Sequence, residues 1–416
     1  MQATGLIVEY NPFHNGHNYH LNQSKIISNN QPTIAVMSGN FTQRGEPAIF
    51  DKWIRAKMAV QAGIDLVIEL PLSYAIRSAE YFARGAILSL AYTGLVNKVV
   101  FGSEKGQLNT LEDIANLLVL EPTEFQDILK TNLNNGLSFP EARAKTIKKI
   151  LGDEAFKAIN KPNNILGIEY LKAIQEYNLP IQAKTIERKA SNYHDEVPGN
   201  SEITSATAIR NLIYKNQIET ALKYIPEFNH KLFKYIIQAE KGPARIKTWE
   251  EYTLFKIRSL TRDELLDIPA ISYNLANSIL NYRNEITNYN DLIDCLTSKT
   301  YPKSRITRAL LQATLRLSKT KYKEHKLQEP AYLRILAVGK QGKDLLSEIS
   351  DMAKVPTIIQ PAKYLNEPEF NSSTSLKYQL SLDIHASNLY SLIIPAQSAK
   401  TGNKDFTERL IDLKDL

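Results

Sequence analysis

A single cysteine, Cys295, stands in 416 residues. No intrachain disulfide can form, and the chain suits a reducing compartment. A small buried side chain is the expected role of Cys295, ahead of a nucleophile. No apolar run approaches the length of about 18 residues that a membrane helix needs. The N-terminus has no basic stretch followed by an apolar core, so no signal peptide is expected and the cytoplasm is the expected location. Two nucleotide-binding signatures are missing: there is no G-x-x-x-x-G-K-S/T, and no G-x-G-x-x-G follows the first strand.

What is present is ordinary in bulk. Hydrophobic residues make up 43% and charged residues 23%, a balance typical of a globular protein with two or three domains and a sizeable core. The net charge of +7 is compatible with a polyanionic partner. Its distribution says more than its size. Between Lys299 and Lys326 nine basic residues face one acid, Glu324. There Arg305, Arg308 and Arg316 interleave with Ile306, Leu310, Leu311, Leu315 and Leu317, which predicts a helix with one packed and one basic face. The basic face is either simply solvated or a surface for phosphate backbones, with Arg305 and Arg308 as the candidate nucleic-acid contacts.

The front of the chain alternates short apolar runs, at 5–9, 33–38, 65–70 and 98–102, with amphipathic segments of helical length. That alternation predicts an α/β fold with a parallel, doubly wound sheet, whose ligands sit at the carboxyl ends of strands. A helix at 164–177 and a strand at 181–188 follow, and from 204 to 317 the pattern is mainly helical. A polar bridge leads to a last α/β piece with strands near 335–338 and 357–359. The expected division is 1–215 for a nucleotide-binding domain, 216–325 for a helical, basic domain and 326–416 for a C-terminal α/β segment. The segment 268–282 faintly resembles a helix-hairpin-helix but lacks the hairpin glycines, so packing explains it better.

The first strand stops at Asn11-Pro12, and His14 and His17 then bracket Gly16 where a helix should begin. A helix N-terminus offers unpaired N–H groups and a positive dipole end, which favour phosphate. Two imidazoles there can add hydrogen bonds to charge developing on a phosphoryl group, and Gly16 would let the backbone approach the ligand. The alternatives are a polar turn or half of a metal site, and the latter would want further Cys, His or carboxylate ligands.

His14-Asn15-Gly16-His17 resembles the signature of the HIGH-type nucleotidyltransferase superfamily, whose members share a Rossmann-like fold and attack ATP at its α-phosphate. The wider pattern resembles the bacterial tRNA(Met) cytidine acetate ligase family. It comprises the run Val8 to His17, then 37–48, Asp65-Leu66-Val67-Ile68-Glu69-Leu70-Pro71, Pro162-Asn163-Asn164-Ile165-Leu166-Gly167 and Ser205-Ala206-Thr207-Ala208-Ile209-Arg210. The likeness weakens beyond about residue 320 and so covers roughly three quarters of the chain.

The resemblance implies a set of ATP contacts: Ile7, Val8, Glu9, Tyr10, Asn11, Pro12, Phe13, His14, Asn15, Gly16, His17, Asn18, Tyr19 and His20, then Gly102, Asn163 and Arg188. Asn164 and Glu187 are the neighbours to consider if the register is off by one. Gly102 otherwise reads as a turn glycine, Asn163 as a helix cap and Arg188 as a surface ion pair. Residues 204–210 match the superfamily's second signature, I-S-S-T-x-x-R, only in part. Ser205, Thr207 and Arg210 remain as a candidate clamp for the leaving pyrophosphate, while Ala206 departs from the pattern. Gln43 and Arg44 are expected to serve acetate or tRNA.

The implied reaction has two steps. Acetate attacks the α-phosphorus of ATP to give acetyl-adenylate, with His14 and His17 as the catalytic pair. The amino group of the wobble cytidine in elongator tRNA(Met) then takes the acetyl group, giving N4-acetylcytidine and AMP. Mg2+ is expected to accompany the triphosphate, with no dedicated protein metal site. Two rivals are a cofactor-biosynthesis adenylyltransferase and a non-catalytic tRNA-binding protein. The first would not need some 200 further helical, basic residues, and intact His14, Gly16 and His17 argue against the second.

Overall fold

Strand β1 (Ala3–Val8) pairs in parallel with β2 (Thr33–Ser38) on one side and β4 (Val96–Ser103) on the other. β3 (Leu66–Leu70) extends the sheet beside β2, and β5 (Gln182–Glu187) beside β4, both in parallel. Every residue of β2 and β3 is buried, as expected of central parallel strands covered by helices on both faces. The computed structural model behind this description covers residues 1–188, 203–366 and 374–416. Among them no helix is long and apolar enough to cross a membrane.

The five parallel strands run in the order β5-β4-β1-β2-β3, and the sheet does not stop there. β6 (Leu333–Val338) pairs antiparallel to β3, with Leu66 opposite Val338, and β7 (Thr357–Ile358) and β8 (Ile411–Asp412) both pair with β6. The third stretch of the expected division therefore supplies three strands to the sheet of the first. A buried ionic cluster joins them: Lys52 Nζ donates to Glu69 Oε2 and to Asp405 Oδ1, each at 2.7 Å.

The helical stretch has a core of its own, with Ile257, Leu265, Leu275, Leu292, Ile306 and Leu310 among its members. Ile268, Ile271, Ala276 and Ile279 belong to it, so the helix-hairpin-helix look of 268–282 is packing. The helices around 209–236 instead join the sheet's core, where Ile209, Ile213, Phe233 and Ile236 meet Leu6, Val8 and Trp53.

Two expectations change. Cys295 is exposed, because Leu292, Ile293 and Leu296 take the buried face of the helix Tyr289–Leu296 and rotate position 295 outward. The basic stretch is not one helix. It splits into Lys303–Thr314 and Lys319–Glu324, with Arg316 in the left-handed region at φ 58° and Ser318 capping the second helix. Leu315 and Leu317 are both fully buried, and the turn between them is what points both inward.

Candidate functional site

The end of β1 turns sharply, with Tyr10 in the left-handed region at φ 47° and a cis bond at Asn11-Pro12. His14 is extended and caps the helix Asn15–Ile27, its Nδ1 accepting the Gly16 N–H at 3.0 Å. A Cβ at Gly16 would lie 2.8 Å from His14 Cε1. Glycine is thus needed to let the imidazole fold over the helix terminus, a reason the sequence pattern does not reveal. His17 lies in the first turn of this helix, its ring centroid 3.8 Å from that of His14.

These rings line a cavity of about 260 Å³ at the carboxyl ends of β1, β4 and β5. Of the expected nucleotide contacts, Ile7, Val8, Glu9, Tyr10, Asn11, His14, Gly16, His17, Tyr19 and His20 reach its wall. So do Gly102, Asn163, Arg188, Ser205, Thr207 and Arg210. Pro12, Phe13, Asn15 and Asn18 do not. Phe13 is core, packed against the Tyr10 ring, and Asn15 Nδ2 donates to the Lys223 carbonyl on the outer side. A helix turns its side chains through 360° every 3.6 residues, so an unbroken run such as 14–20 cannot all face one ligand.

On the far wall Arg188 Nη1 donates to Asn163 Oδ1 at 2.8 Å. Glu104 holds the helix start behind it, accepting from Asn163 Nδ2 at 3.1 Å and from Asn164 N–H at 3.2 Å. Asn164 is buried away from the cavity, whereas Glu187 joins the wall beside Arg188. A Cβ on Gly102 would sit 2.9 Å from Arg188 Cγ, so this glycine makes room for the arginine stem. Ser205 spends its hydroxyl as the cap of the helix Ala206–Tyr214, accepting from Ala208 N–H at 3.0 Å. Arg210 ties that helix to the β1 turn, donating to the Asn11 carbonyl at 2.9 Å and to Thr207 Oγ1 at 3.2 Å.

The residues missed by sequence reading are mostly apolar: Phe82, Phe101, Leu166 and Tyr170, with Thr42, Glu46 and Thr204 among the polar ones. A signal did exist for two of them. Asn163, Leu166 and Tyr170 are spaced three and four apart, one stripe of the helix Pro162–Glu176.

Burial, with Arg188 and Arg210 nearby, lowers the His14 pKa to about 3. Burial and Arg188 lower that of His20 to about 4, and burial followed by His14 and Arg188 drives His17 well below its ordinary value. All three imidazoles are neutral at pH 7 with one N–H each. That of His14 is on Nε2, because Nδ1 accepts from Gly16, while the carbonyls of Pro12 and Val100 compete for those of His17 and His20. Tyr10 Oη, His17 Nδ1, His20 Nε2 and Thr204 Oγ1 are buried wall atoms without a hydrogen-bond partner among the described residues. Buried polar atoms of that kind are costly unless a ligand or water engages them.

Over the same edge of the sheet lies a hairpin, 41–47, closed by Thr42 N–H to the Glu46 carbonyl at 2.9 Å. Gln43 and Arg44 from it line the cavity. Arg305 and Arg308 do not, but their helix backs the hairpin, since Thr307 Oγ1 donates to the Arg44 carbonyl at 2.7 Å. Arg305 is half-buried with its guanidinium 4.7 Å from the Tyr301 ring centre.

A cavity with two neutral histidines at a helix terminus and three arginines on its walls fits a nucleotide-cleaving site, and comparison with known proteins agrees. The model of the HIGH Nucleotidyl Transferase family matches residues 1–405. The tRNA(Met) cytidine acetate ligase of Halothermothrix orenii is 38% identical over 415 residues, covering 98% of each chain. That of Caldanaerobacter subterraneus subsp. tengcongensis is 39% identical over 393 residues, covering 94% of this chain and 95% of its own. The chain belongs to the tRNA(Met) cytidine acetate ligase family. A crystal structure of Thermotoga maritima TmcAL bound with alpha-thio ATP superposes with a TM-score of 0.92 at 33% identity, covering 99% of this chain and all of that one. The apo form I of the same protein gives 0.94 at 34% identity with the same coverage. The likeness in sequence, expected to weaken beyond about residue 320, in fact runs on: the family model reaches residue 405, the Halothermothrix orenii ligase aligns over 98% of the chain, and the fold is shared over 99% of it.

Proposed function

We propose that this chain joins acetate to AMP from ATP and passes the acetyl group to the wobble cytidine of elongator tRNA(Met). The products are N4-acetylcytidine, AMP and diphosphate. The observation that carries this reading is the close His14–His17 pair at a helix terminus, inside a chain that matches ligases of that name over 98% of its length.

In this reading the α-phosphate lies against the N-terminus of the helix Asn15–Ile27. The N–H groups of Asn15, Gly16 and His17 are already spent on the Tyr224 carbonyl, His14 Nδ1 and the His14 carbonyl, so the side chains act instead. The neutral His14 ring donates from Nε2 to the oxygens that gain charge in the transition state, with the His17 ring packed beside it. Arg188, with Asn163 and Gly102, holds the adenosine side, and Arg210 with Thr207 faces the departing diphosphate. Phe101, Leu166 and Tyr170 give the base an apolar wall. Magnesium arrives as part of the ATP substrate, on its phosphate oxygens. Among the described residues no three His, Cys, Asp or Glu side chains gather to cage a metal ion. Arg305 and Arg308 meet tRNA phosphates at the mouth formed by the hairpin. A tRNA substrate supports a cytoplasmic location.

Acetate-dependent exchange of pyrophosphate into ATP, measured with and without tRNA, tests the first step. The ligase reading expects exchange with acetate alone. Exchange that needs a phosphorylated small molecule would point to a cofactor adenylyltransferase, and no exchange at all to a binding protein.

A further inference from the structure

Acetyl transfer to cytidine requires the exocyclic amine to lose a proton, and the histidines are poorly placed to take it. His14 already spends Nδ1 on the Gly16 N–H, and both catalytic rings stand at the phosphate end of the cavity. The acidic residues on the described wall are Glu9, Glu46 and Glu187. Glu46 and Glu187 are exposed at the rim, whereas Glu9 is half-buried at the end of β1.

Glu9 also sits where the tRNA would enter. Its Oε1 accepts the Gln43 N–H at 2.7 Å, which links the strand end to the hairpin 41–47. On its other side that hairpin rests on the helix carrying Arg305 and Arg308, through Thr307 Oγ1 and through Gly45, packed against the Arg308 backbone. The order from outside inward is proposed tRNA contact, hairpin, Glu9, nucleotide pocket.

We propose that Glu9 is the general base of the acetyl-transfer step. Its carboxylate takes a proton from the cytidine amino group as the nitrogen bonds to the acetyl carbon. The bond from that carbon to the phosphate oxygen breaks, its electron pair leaves with AMP, and the proton passes from Glu9 to solvent on product release. This rests on the acetate-ligase reading above.

The surroundings suit the role. Burial raises the Glu9 pKa above the ordinary carboxylate value, opposed by the Gln43 N–H and by Arg55, Arg44 and Arg210, which face it from three different elements. A carboxylate raised in this way is a better base near neutrality than an exposed one. The three arginines still favour its charged form against the full cost of burial.

The test uses the full chain, synthetic acetyl-adenylate and tRNA(Met) in rapid-quench single turnovers across pH. Glu9→Gln keeps an oxygen for the Gln43 N–H but cannot take a proton. It is expected to slow transfer by about 100-fold or more and to lose the fall in rate that the wild type shows on the acid side. Glu9→Asp should be slower than wild type yet keep that acid limb, and tRNA affinity should be unchanged in both. An acid limb that persists in Glu9→Gln, or transfer at the wild-type rate, would overturn the proposal and leave the adenylate phosphate as the proton acceptor. So would equal losses in pyrophosphate exchange and in transfer, which mark a residue that only shapes the cavity. Wild-type protein that forms no acetyl-adenylate would instead sink the ligase reading itself.

Discussion

His17→Ala removes one of two closely packed rings from the helix terminus while leaving Gly16 and the cap at His14 in place. Adenylate formation should fall by about 10²–10³-fold, the usual loss for one transition-state donor, with circular dichroism unchanged. Undiminished acetyl-AMP production would reassign the site. The same histidines make folding sensitive to acid. Burial, then Arg188, holds His14 at about 3 and His20 at about 4, against 6.5 for an ordinary imidazole. As pH falls below about 6.5 the unfolded chain binds protons that the folded one refuses, so stability is present above that pH and drains away below it. Urea midpoints should drop steadily from pH 6.5 towards 4, and His20→Gln should flatten the drop. An unaltered slope in that variant would assign the acid sensitivity to other groups. At this scale the motif residues were legible because chemistry restricts which side chains suit a phosphate. The reasons for Gly16 and Gly102 were not, since each makes room for a particular neighbour, His14 or Arg188, that only the fold brings close.

Between elements, the hairpin 41–47 is the part that joins the pocket to the helical region. Gly45 sits at φ 89°, and a Cβ there would lie 2.5 Å from the Arg308 nitrogen. Gly45→Ala should cost roughly 1–3 kcal/mol of stability and weaken tRNA acetylation more than pyrophosphate exchange, as judged by denaturant melts and paired assays. Equal effects on both activities would mean that the hairpin does not link them. Replacing Arg305 and Arg308 together by Ala should weaken tRNA binding and flatten its dependence on salt, because phosphate contacts release counterions. ATP affinity should stay near wild type. If affinity and salt slope are both unaltered, the basic helix is a solvated face. The strand–helix alternation of the first 188 residues could be read from periodicity. The break at Arg316 could not, because burying both Leu315 and Leu317 is a tertiary demand that overrides a continuous helical pattern.

For the molecule as a whole, the C-terminal stretch matters because β6 covers the edge of β3 and Asp405 completes a buried ionic cluster with Lys52 and Glu69. Removing one partner of such a cluster leaves a charge buried without compensation. Asp405→Ala should therefore cost about 3–5 kcal/mol, measured by chemical denaturation, and a loss near zero would show that the cluster is dispensable. The strands near 335–338 and 357–359 were visible in sequence, but their place in the sheet and the ionic cluster were not. The pairing of β3 with β6 joins segments separated by the entire helical region, and no local pattern encodes it. The most direct test of the proposed activity is to incubate the full chain with ATP, radiolabelled acetate and elongator tRNA(Met), then digest the tRNA and separate its nucleosides. Label in N4-acetylcytidine at the wobble position, matched mole for mole by AMP and diphosphate, is the predicted result. ADP in place of AMP, or AMP joined to a small phosphorylated molecule while the tRNA stays unlabelled, would contradict it.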